Sequence, residues 1–182
     1  MRIRVGPFNT NLGIALALVA GGLLAGGCAS HKSKEKSEKY SKHDQASLRL
    51  HLEVNADGSE DNGPVAIGRE RSFTLNVQKK AFLTEFEVER ATVVESMGGF
   101  SISIRYSKEG GWILEQYTTA NKGKHMAIAA EFGQMRWLAA PMITQRIGDG
   151  LLVFTPDASR AEAERIVSGV NRVAELVRKG RK

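Results

Sequence analysis

Phe100-Ser-Ile-Ser-Ile-Arg-Tyr106, followed directly by Ser107-Lys-Glu-Gly-Gly-Trp-Ile-Leu-Glu-Gln-Tyr-Thr-Thr-Ala-Asn-Lys-Gly123, is the stretch that decides the fold. In the first segment apolar residues alternate with polar ones, the pattern of a strand with one buried face. In the second, Ser107 can cap a helix whose apolar residues share one face, and Asn121 and Gly123 end it. The stretch therefore predicts a half-buried strand followed by a helix.

More strands are predicted on both sides of this pair. Downstream, residues 124–132 and the segment 137–154, which turns at Gly148-Asp-Gly150, complete the order strand, helix, strand, strand, strand. Upstream, alternation predicts strands over Leu48–Val54 and about residues 72–77, with a polar loop from Asn55 to Pro64 between them. Thr84 can then cap a single helical turn, and Ala91–Glu95 extends into a strand that turns at Gly98-Gly99.

A second long helix closes the chain. Ser159-Arg-Ala-Glu162 is a capping box, and Ile166, Val170, Val173 and Val177 follow at helical spacing. Strands interrupted by two helices predict an α+β fold, a two-layer sandwich with both helices on one face of a mainly antiparallel sheet. We expect one such domain over residues 47–178 and a short basic tail over 179–182.

An ordered string of small motifs carries a family resemblance. It comprises Glu109-Gly110, Tyr117-Thr118, Asn121-Lys-Gly123-Lys124, Met126-Ala-Ile128 and Ala140-Pro-Met-Ile143. Together with the final helix, these motifs resemble the head subdomain of the first periplasmic domain of SecD/SecDF, the protein-export accessory subunit, over about residues 72–177. The resemblance implies a similar α+β head and an extracytoplasmic location. It does not imply proton-driven export, because this sequence lacks the membrane helices on which that activity of the family depends.

The amino terminus has the order of a secretory signal. A basic start, an apolar core over Leu12–Leu24 and a small-residue box lead to Cys28, the only cysteine. The apolar run is shorter than the roughly 20 residues of a membrane span, and Cys28 resembles the acceptor of bacterial lipoprotein processing. We therefore predict a lipoprotein signal peptide over 1–27 and lipidation of Cys28. The alternative is an ordinary cleaved signal followed by an incidental cysteine.

Residues 28–46 differ in composition from the rest of the chain. Lysine, serine, glutamate and histidine dominate, with almost no apolar residue, so the segment is predicted to be a disordered, lipid-anchored tether. The chain has a formal net charge of +6. Removing Arg2 and Arg4 with the signal leaves 6 − 2 = 4 positive charges. This is too mild and scattered a charge to indicate nucleic acid as a partner.

Catalytic and metal-binding motifs are not found in the sequence. The histidines at 31, 43, 51 and 125 have no zinc-site spacing, and no Gly-x-Ser-x-Gly elbow or complete phosphate-binding loop occurs. Asp149 and Asp157 are better explained as turn residues that bind nearby backbone amides. We expect a non-enzymatic protein without a metal, cofactor or small-molecule substrate.

Four residues are candidates for contact with a partner: Trp112, Gln116, Arg136 and Trp137. Trp112 lies off the apolar stripe of its helix, so exposed contact and buried flank are both open for it. A core role is favoured for Trp137, because aromatic side chains supply much of the buried area in small domains. Exposed strand edges offer another way of docking an extended chain.

Two functions follow from these observations. The first is a membrane-anchored, non-catalytic module in the bacterial envelope, facing the periplasm, that contacts exported polypeptide or proteins of the Sec translocon. The second is a structural or assembly lipoprotein of the envelope that reuses the same fold. The partner, the choice of inner or outer membrane and the oligomeric state stay open.

Overall fold

The computed structural model describes residues 45–69 and 72–180. Along these ranges the elements are β1 Ser47–Leu52, β2 Asn62–Ile67, β3 Phe73–Gln78, a 3-10 turn Glu85–Glu87, β4 Val88–Ser96, β5 Gly99–Tyr106, α1 Lys108–Ala120, β6 Met126–Glu131, β7 Met135–Ala139, β8 Leu151–Phe154 and α2 Arg160–Gly180. Every strand pairing is antiparallel. The predicted α+β class is confirmed, as is the order of elements from β5 to β8.

The strands form three small sheets where the sequence predicts a single one. Their strand orders are β1–β6–β7, β2–β3 and β4–β5–β8. Backbone hydrogen bonds join Leu50 to Leu83 and to Phe82, each at 2.9 Å, so a segment without its own strand covers the outer edge of β1. Short connecting segments thus satisfy backbone groups that a continuous sheet would otherwise pair.

Both helices and two of the sheets share one hydrophobic core. Leu50 of β1, Ile104 of β5, Leu114 of α1 and Ile166 of α2 are all buried in it. A second, smaller cluster joins Ile67, Leu75 and Val77 of the β2–β3 hairpin to Ala127 of β6. Because neighbouring residues of a strand point to opposite faces, Ala127 and its neighbours place these clusters on opposite sides of β6. The hairpin therefore covers the outer face of the sheet β1–β6–β7.

Helix α1 forms as its sequence predicts, with one change in its buried face. The Ser107 hydroxyl accepts a hydrogen bond from the Gly110 amide at 3.2 Å, and Asn121 ends the helix. Tyr117 is half-buried and stacks on Phe82 at 4.2 Å between ring centroids. Thr118 is fully buried instead, because its hydroxyl donates to the Leu114 carbonyl and accepts from the Ile147 amide.

Helix α2 starts with the predicted capping box. The Glu162 amide donates to the Ser159 hydroxyl at 3.3 Å, and the Ser159 amide donates to the Glu162 carboxylate at 2.8 Å. Its buried residues are Ala163, Ile166, Gly169, Val170 and Ala174. Val173 and Val177, which the apolar stripe included, are only half-buried.

The stripe on α2 is displaced because small residues lie where the amino-terminal segment crosses the helix. Ala46, at the end of the predicted tether, is 2% exposed and lies against Gly169. The helix continues to Gly180, past residue 179 where the predicted tail begins.

The loop prediction for residues 55–64 is wrong at its last three residues, 62–64. Asn62 to Ile67 form β2, in which Pro64 is paired with Asn76 of β3. Asn62-Gly-Pro64 has turn composition, but β2 is an edge strand, where a proline is tolerated. By contrast, the single helical turn predicted at Thr84 is present, with a capping box between Thr84 and Glu87.

Candidate functional site: a groove between strand edges

An apolar groove of about 540 Å³ opens on the surface where the three sheets meet. The first wall is formed by the β2–β3 hairpin and the residue after β2, through Ile67, Gly68 and Phe73. The second wall consists of residues 139–141, at the end of β7 and just after it. The third wall consists of residues 153–155, in β8 and its extension. Phe73 and Val153 are 46% and 50% exposed. The groove thus offers apolar side chains to solvent on walls made of strands.

The third wall is a strand edge. Among the described strands β8 pairs with β5 alone, and the Tyr106 amide donates to the Gly150 carbonyl at 2.9 Å. Tyr106 and Gly150 therefore form a hydrogen-bonded pair, and hydrogen-bonded and non-hydrogen-bonded pairs alternate along an antiparallel ladder. Val153 lies three positions further along, opposite Ser103, so it belongs to a non-hydrogen-bonded pair. The amide and carbonyl of Val153 therefore point away from β5, along the rim of the groove.

The second wall extends the sheet β1–β6–β7 beyond β7. The Met126 amide donates to the Pro141 carbonyl at 2.9 Å, and the Ile143 amide donates to the Lys124 carbonyl at 2.8 Å. Met142, between these contacts, lies opposite His125 in an isolated bridge and is 53% exposed. By the same alternation, its backbone groups point away from β6.

The groove closes where the second and third walls converge. The Asp157 amide donates to the Leu138 carbonyl at 2.7 Å, and the Arg136 guanidinium donates to the Asp157 carbonyl at 2.6 Å. At the base of the third wall, the hydroxyls of Ser101 and Thr155 are 3.2 Å apart. One end of the groove is thus fixed by backbone and side-chain hydrogen bonds, and the walls between are apolar.

Behind this closed end, an ion cluster joins the segment after β2 to β7 and α2. Glu162 Oε1 lies 2.6 Å from an Arg69 nitrogen and 3.0 Å from an Arg136 nitrogen. Arg69 follows the hairpin strand β2, Arg136 lies on β7 and Glu162 on the first turn of α2. The hydrogen bond from the Ser159 amide, together with Arg69, lowers the pKa of Glu162 to about 2, so the carboxylate stays charged.

The described part of the chain was compared with the requirements of a metal site and of a membrane span, and it meets neither. Across residues 45–69 and 72–180, no group of three or more histidine, cysteine, aspartate or glutamate side chains is arranged to hold a metal ion. His125 pairs with Glu53 at 2.8 Å, a two-membered contact. None of the described helices is long and apolar enough to cross a membrane.

The four predicted contact residues lie in two separate places. Trp112 is 61% exposed on α1 and borders a cleft of about 350 Å³ with the Gly148–Gly150 turn, and Gln116 is exposed one helical turn further on. On β7, Trp137 is half-buried and meets His51 edge-on at 5.0 Å, and Arg136 is held by its ion pairs. Cys28 lies outside the described residues.

The sequence alone does not single out the groove residues. Phe73 lies in the strand predicted over about residues 72–77 and Val153 in the segment 137–154, and neither pattern reveals which strand is left without a neighbour. The Ala140-Pro-Met-Ile143 motif was the available signal, because it lies on the wall that follows β7.

The sequence model of the SecDF P1 head subdomain matches residues 64–172. The chain belongs to the SecDF P1 head subdomain family. The resemblance inferred from the short motifs is thereby confirmed, and the groove and both of its strand edges fall inside the matched range.

Solved structures agree with this assignment at the level of fold. A structure of SecDF, described as a membrane component that enhances protein export, has a TM-score of 0.52 and 21% identity over 70% of this chain and 62% of that chain. SecDF in a super-membrane-facing form has a TM-score of 0.50 and 22% identity over 69% of this chain and 18% of that chain. The P1 head chain thus spans less than two thirds of either. No curated protein matches the sequence.

Proposed function

We propose that this chain is a membrane-anchored, extracytoplasmic binding module that captures extended segments of exported polypeptide in the groove and performs no catalysis. The observation that carries the proposal is the strand edge of β8, where Val153 presents its backbone amide, its carbonyl and a half-exposed side chain to the groove. An extended segment can pair with such an edge through its main chain and place alternate side chains in the groove.

The chemistry of the groove suits a polypeptide that has not yet folded. Its walls offer Phe73, Pro141 and Val153 as apolar contacts, and main-chain hydrogen bonding does not depend on the sequence of the ligand. The charged groups at the closed end are paired with one another in the Glu162 cluster. We therefore expect little selection by charge and a preference for extended, apolar segments.

Family membership supports the export link. The related structure is described as a membrane component that enhances protein export. In this chain the proposed anchor is the acylated Cys28, with residues 28–46 as tether, in place of transmembrane helices. Two or three acyl chains at about 0.8 kcal/mol per buried methylene would hold the domain at a membrane.

The alternative function, a structural or assembly lipoprotein of the envelope, would use another surface. Two features favour it: the exposed Trp112 on α1 and the cleft between α1 and the Gly148–Gly150 turn. Neither includes a residue that lines the groove. Its partner would be an envelope protein or peptidoglycan. The two functions therefore predict contacts at different positions.

Site-specific photocrosslinking in cells tests the proposal. A photoreactive residue is introduced at position 153 in the groove or at position 112 on α1, in the full-length protein with or without Cys28→Ala. We expect adducts from position 153 to contain newly exported polypeptides or translocon subunits, and to decrease when the anchor is removed. Position 112 is the control, also more than one-third exposed but outside the groove.

The result that overturns the proposal is also specific. Adducts from position 153 that contain no exported polypeptide and no export component would refute the binding role of the groove. Adducts only from position 112, with wall or outer-membrane components, would support the structural alternative. Retention of the protein on isolated cell wall would point the same way.

A further inference from the structure

The β2–β3 hairpin is held on the rest of the domain by a small set of contacts. It forms a sheet of its own and lies over the outer face of the sheet β1–β6–β7, burying Ile67, Leu75 and Val77 against Ala127. At its inner end the Val54 amide donates to the Asn76 carbonyl at 2.9 Å. Because the hairpin depends on few interactions, a change in one of them can shift its equilibrium.

His51 of β1 is buried at the centre of this contact. Its side chain is directed to the hairpin side of β1, opposite to the core residues Leu50 and Leu52, and the residue is 5% exposed. The ring nitrogen Nδ1 lies 2.9 Å from the Gln78 carbonyl oxygen at the end of β3. Since a carbonyl only accepts, Nδ1 carries the hydrogen and donates it.

The other ring nitrogen has no hydrogen-bond partner among the described residues. Nε2 of His51 is buried, and the ring forms a T-shaped pair with that of Trp137, with the two centroids 5.0 Å apart. Protonation would add a donor and a positive charge at this nitrogen, where no acceptor is available. Burial lowers the pKa of His51 below its ordinary value, and the nearby Arg49 acts in the same direction, against the raising effect of the Gln78 hydrogen bond.

The charged groups around His51 do not offer it a counterion. Arg49 on β1 is a cation, and its nearest carboxylate is Glu85 at 4.0 Å. Glu53, further along β1, is paired with His125 at the start of β6, at 2.8 Å. Lys79, after β3, donates to the Glu60 carbonyl. On the β6 and β7 sides the facing residues are Ala127 and Trp137, which carry no charge.

We infer that His51 is an acid-sensitive latch: as a neutral ring it holds the β2–β3 hairpin on the sheet β1–β6–β7, and its protonation releases the hairpin. The direction of the pH effect on hairpin stability follows from the lowered pKa of His51. The latch contributes its full stabilisation above the ordinary histidine pKa of about 6.5, and the contribution is lost as pH falls from there through the pKa in the folded protein.

Release of the hairpin would change the groove. Ile67, Gly68 and Phe73 form its first wall, and all three belong to the hairpin or adjoin it. Acidification would therefore loosen one wall and leave β8 and the segment after β7 in place. This consequence rests on the proposed function, whereas the latch itself does not.

Hydrogen–deuterium exchange of the full-length protein in detergent, at pH 7.5 and pH 5 with correction for intrinsic exchange, tests the latch without any ligand. We expect exchange in β2 and β3 to rise about tenfold for each pH unit between 6.5 and either pH 5 or the folded pKa of His51, whichever is higher. The β4–β5 hairpin of the same molecule is the internal reference, and its exchange should not change.

Two variants distinguish the effect of protonating His51 from the effects of other titrating groups. His51→Asn keeps an amide donor for the Gln78 carbonyl but cannot titrate, so its hairpin should stay protected at pH 5. His125→Asn, the matched control on the neighbouring histidine, should retain the response to acid. A full response in the His51→Asn protein, or equal acceleration in the β4–β5 hairpin, would overturn the inference.

A direct titration covers the case in which the variants do not fold. The NMR shifts of the His51 ring in the wild-type protein should titrate below pH 6.5, together with those of hairpin amides. Titration of His51 at or above 6.5 would overturn the inference. Loss of groove crosslinks at position 153 with an intact latch would instead count against the proposed function alone.

Discussion

The side chain of Asn171 on α2 completes the backbone hydrogen bonding of Ala91 on β4. Its Oδ1 accepts from the Ala91 amide at 2.7 Å and its Nδ2 donates to the Ala91 carbonyl at 2.8 Å. β4 is at the end of its sheet, so the carboxamide takes the place that a neighbouring strand would have. One helix residue thereby protects a strand edge from pairing with another chain.

Replacing this residue should destabilise the domain. In Asn171→Ala the part-buried amide and carbonyl of Ala91 lose both partners, and we expect the free energy of unfolding to fall by about 1–3 kcal/mol. Chemical denaturation measures the loss, and Ser168→Ala, at an exposed position of the same helix, is the control. A change below about 0.5 kcal/mol in Asn171→Ala would mean that water replaces the carboxamide without cost.

Gly169 should not tolerate a side chain. A Cβ at this position would lie 2.6 Å from the Ala46 nitrogen and 2.7 Å from its Cβ. Alanine favours the helix by about 0.5–1 kcal/mol over glycine, but overpacking of this kind costs about 1–3 kcal/mol. We therefore expect Gly169→Ala to lower the denaturation midpoint.

The matched control for Gly169→Ala lies on the same helix. A Cβ at Gly180 meets no atom within 4 Å, so Gly180→Ala should be neutral or slightly stabilising. Equal stability of the two variants would show that the segment around Ala46 moves aside freely. The contact between Ala46 and α2 would then contribute nothing to the fold.

The sequence predicts those parts of this fold that depend on local interactions. The caps at Ser107 and Thr84, the capping box at Ser159, and the alternation over β1 and β5 each need only residues within one element, and all are present. The family resemblance is also confirmed, because its motifs mark helix ends and strand starts that recur in a fixed order.

The remaining features depend on partners that lie far away in the chain. Thr118 is buried because Ile147 donates to it, and the face of α2 is displaced because Ala46 crosses at Gly169. The exposed edge at Val153 exists because no strand within residues 45–69 and 72–180 pairs with the outer side of β8. Periodicity within a segment contains none of these relationships, so the groove could not be located from the sequence.

The Glu162 cluster should make stability depend on pH in the acidic range. The pKa of Glu162 is lowered to about 2, chiefly by the Ser159 amide and then by Arg69. A lowered pKa stabilises the folded state above the unfolded pKa of 4.5, and this stabilisation is lost as pH falls from 4.5 towards 2. We expect Glu162→Gln to be less stable than wild type at pH 7.

Denaturation curves collected from pH 7 to pH 2.5 check this prediction. The difference between wild type and Glu162→Gln should shrink as the pH falls below 4.5, because protonation removes the same charge in the wild type. Glu164→Gln, an exposed position in the same helix turn, is the control. If the stability difference between the two proteins is constant across the range, Glu162 stabilises the domain through hydrogen bonds that do not depend on its charge.

A proline at position 153 distinguishes main-chain pairing with the β8 edge from apolar contacts in the groove. The Val153 amide points away from β5, so Val153→Pro removes a donor from the groove and leaves the β5–β8 hydrogen bonds intact. If extended polypeptide pairs with this edge, an apolar peptide should bind about three- to tenfold more weakly, as expected for the loss of one net hydrogen bond. Fluorescence anisotropy with a labelled, unfolded secretory peptide measures the affinity.

A proline on the outer edge of β4 provides the matched control for this variant. Val93 has the same phase as Ala91, whose amide points away from β5 towards Asn171, so Val93→Pro also removes an outward amide, but on β4 and outside the groove. Val93→Pro should therefore bind the peptide as wild type does. If both variants bind normally, the groove holds its ligand through side chains alone. If both bind weakly to the same degree, proline acts by disturbing the shared strand β5, and pairing with the β8 edge is refuted.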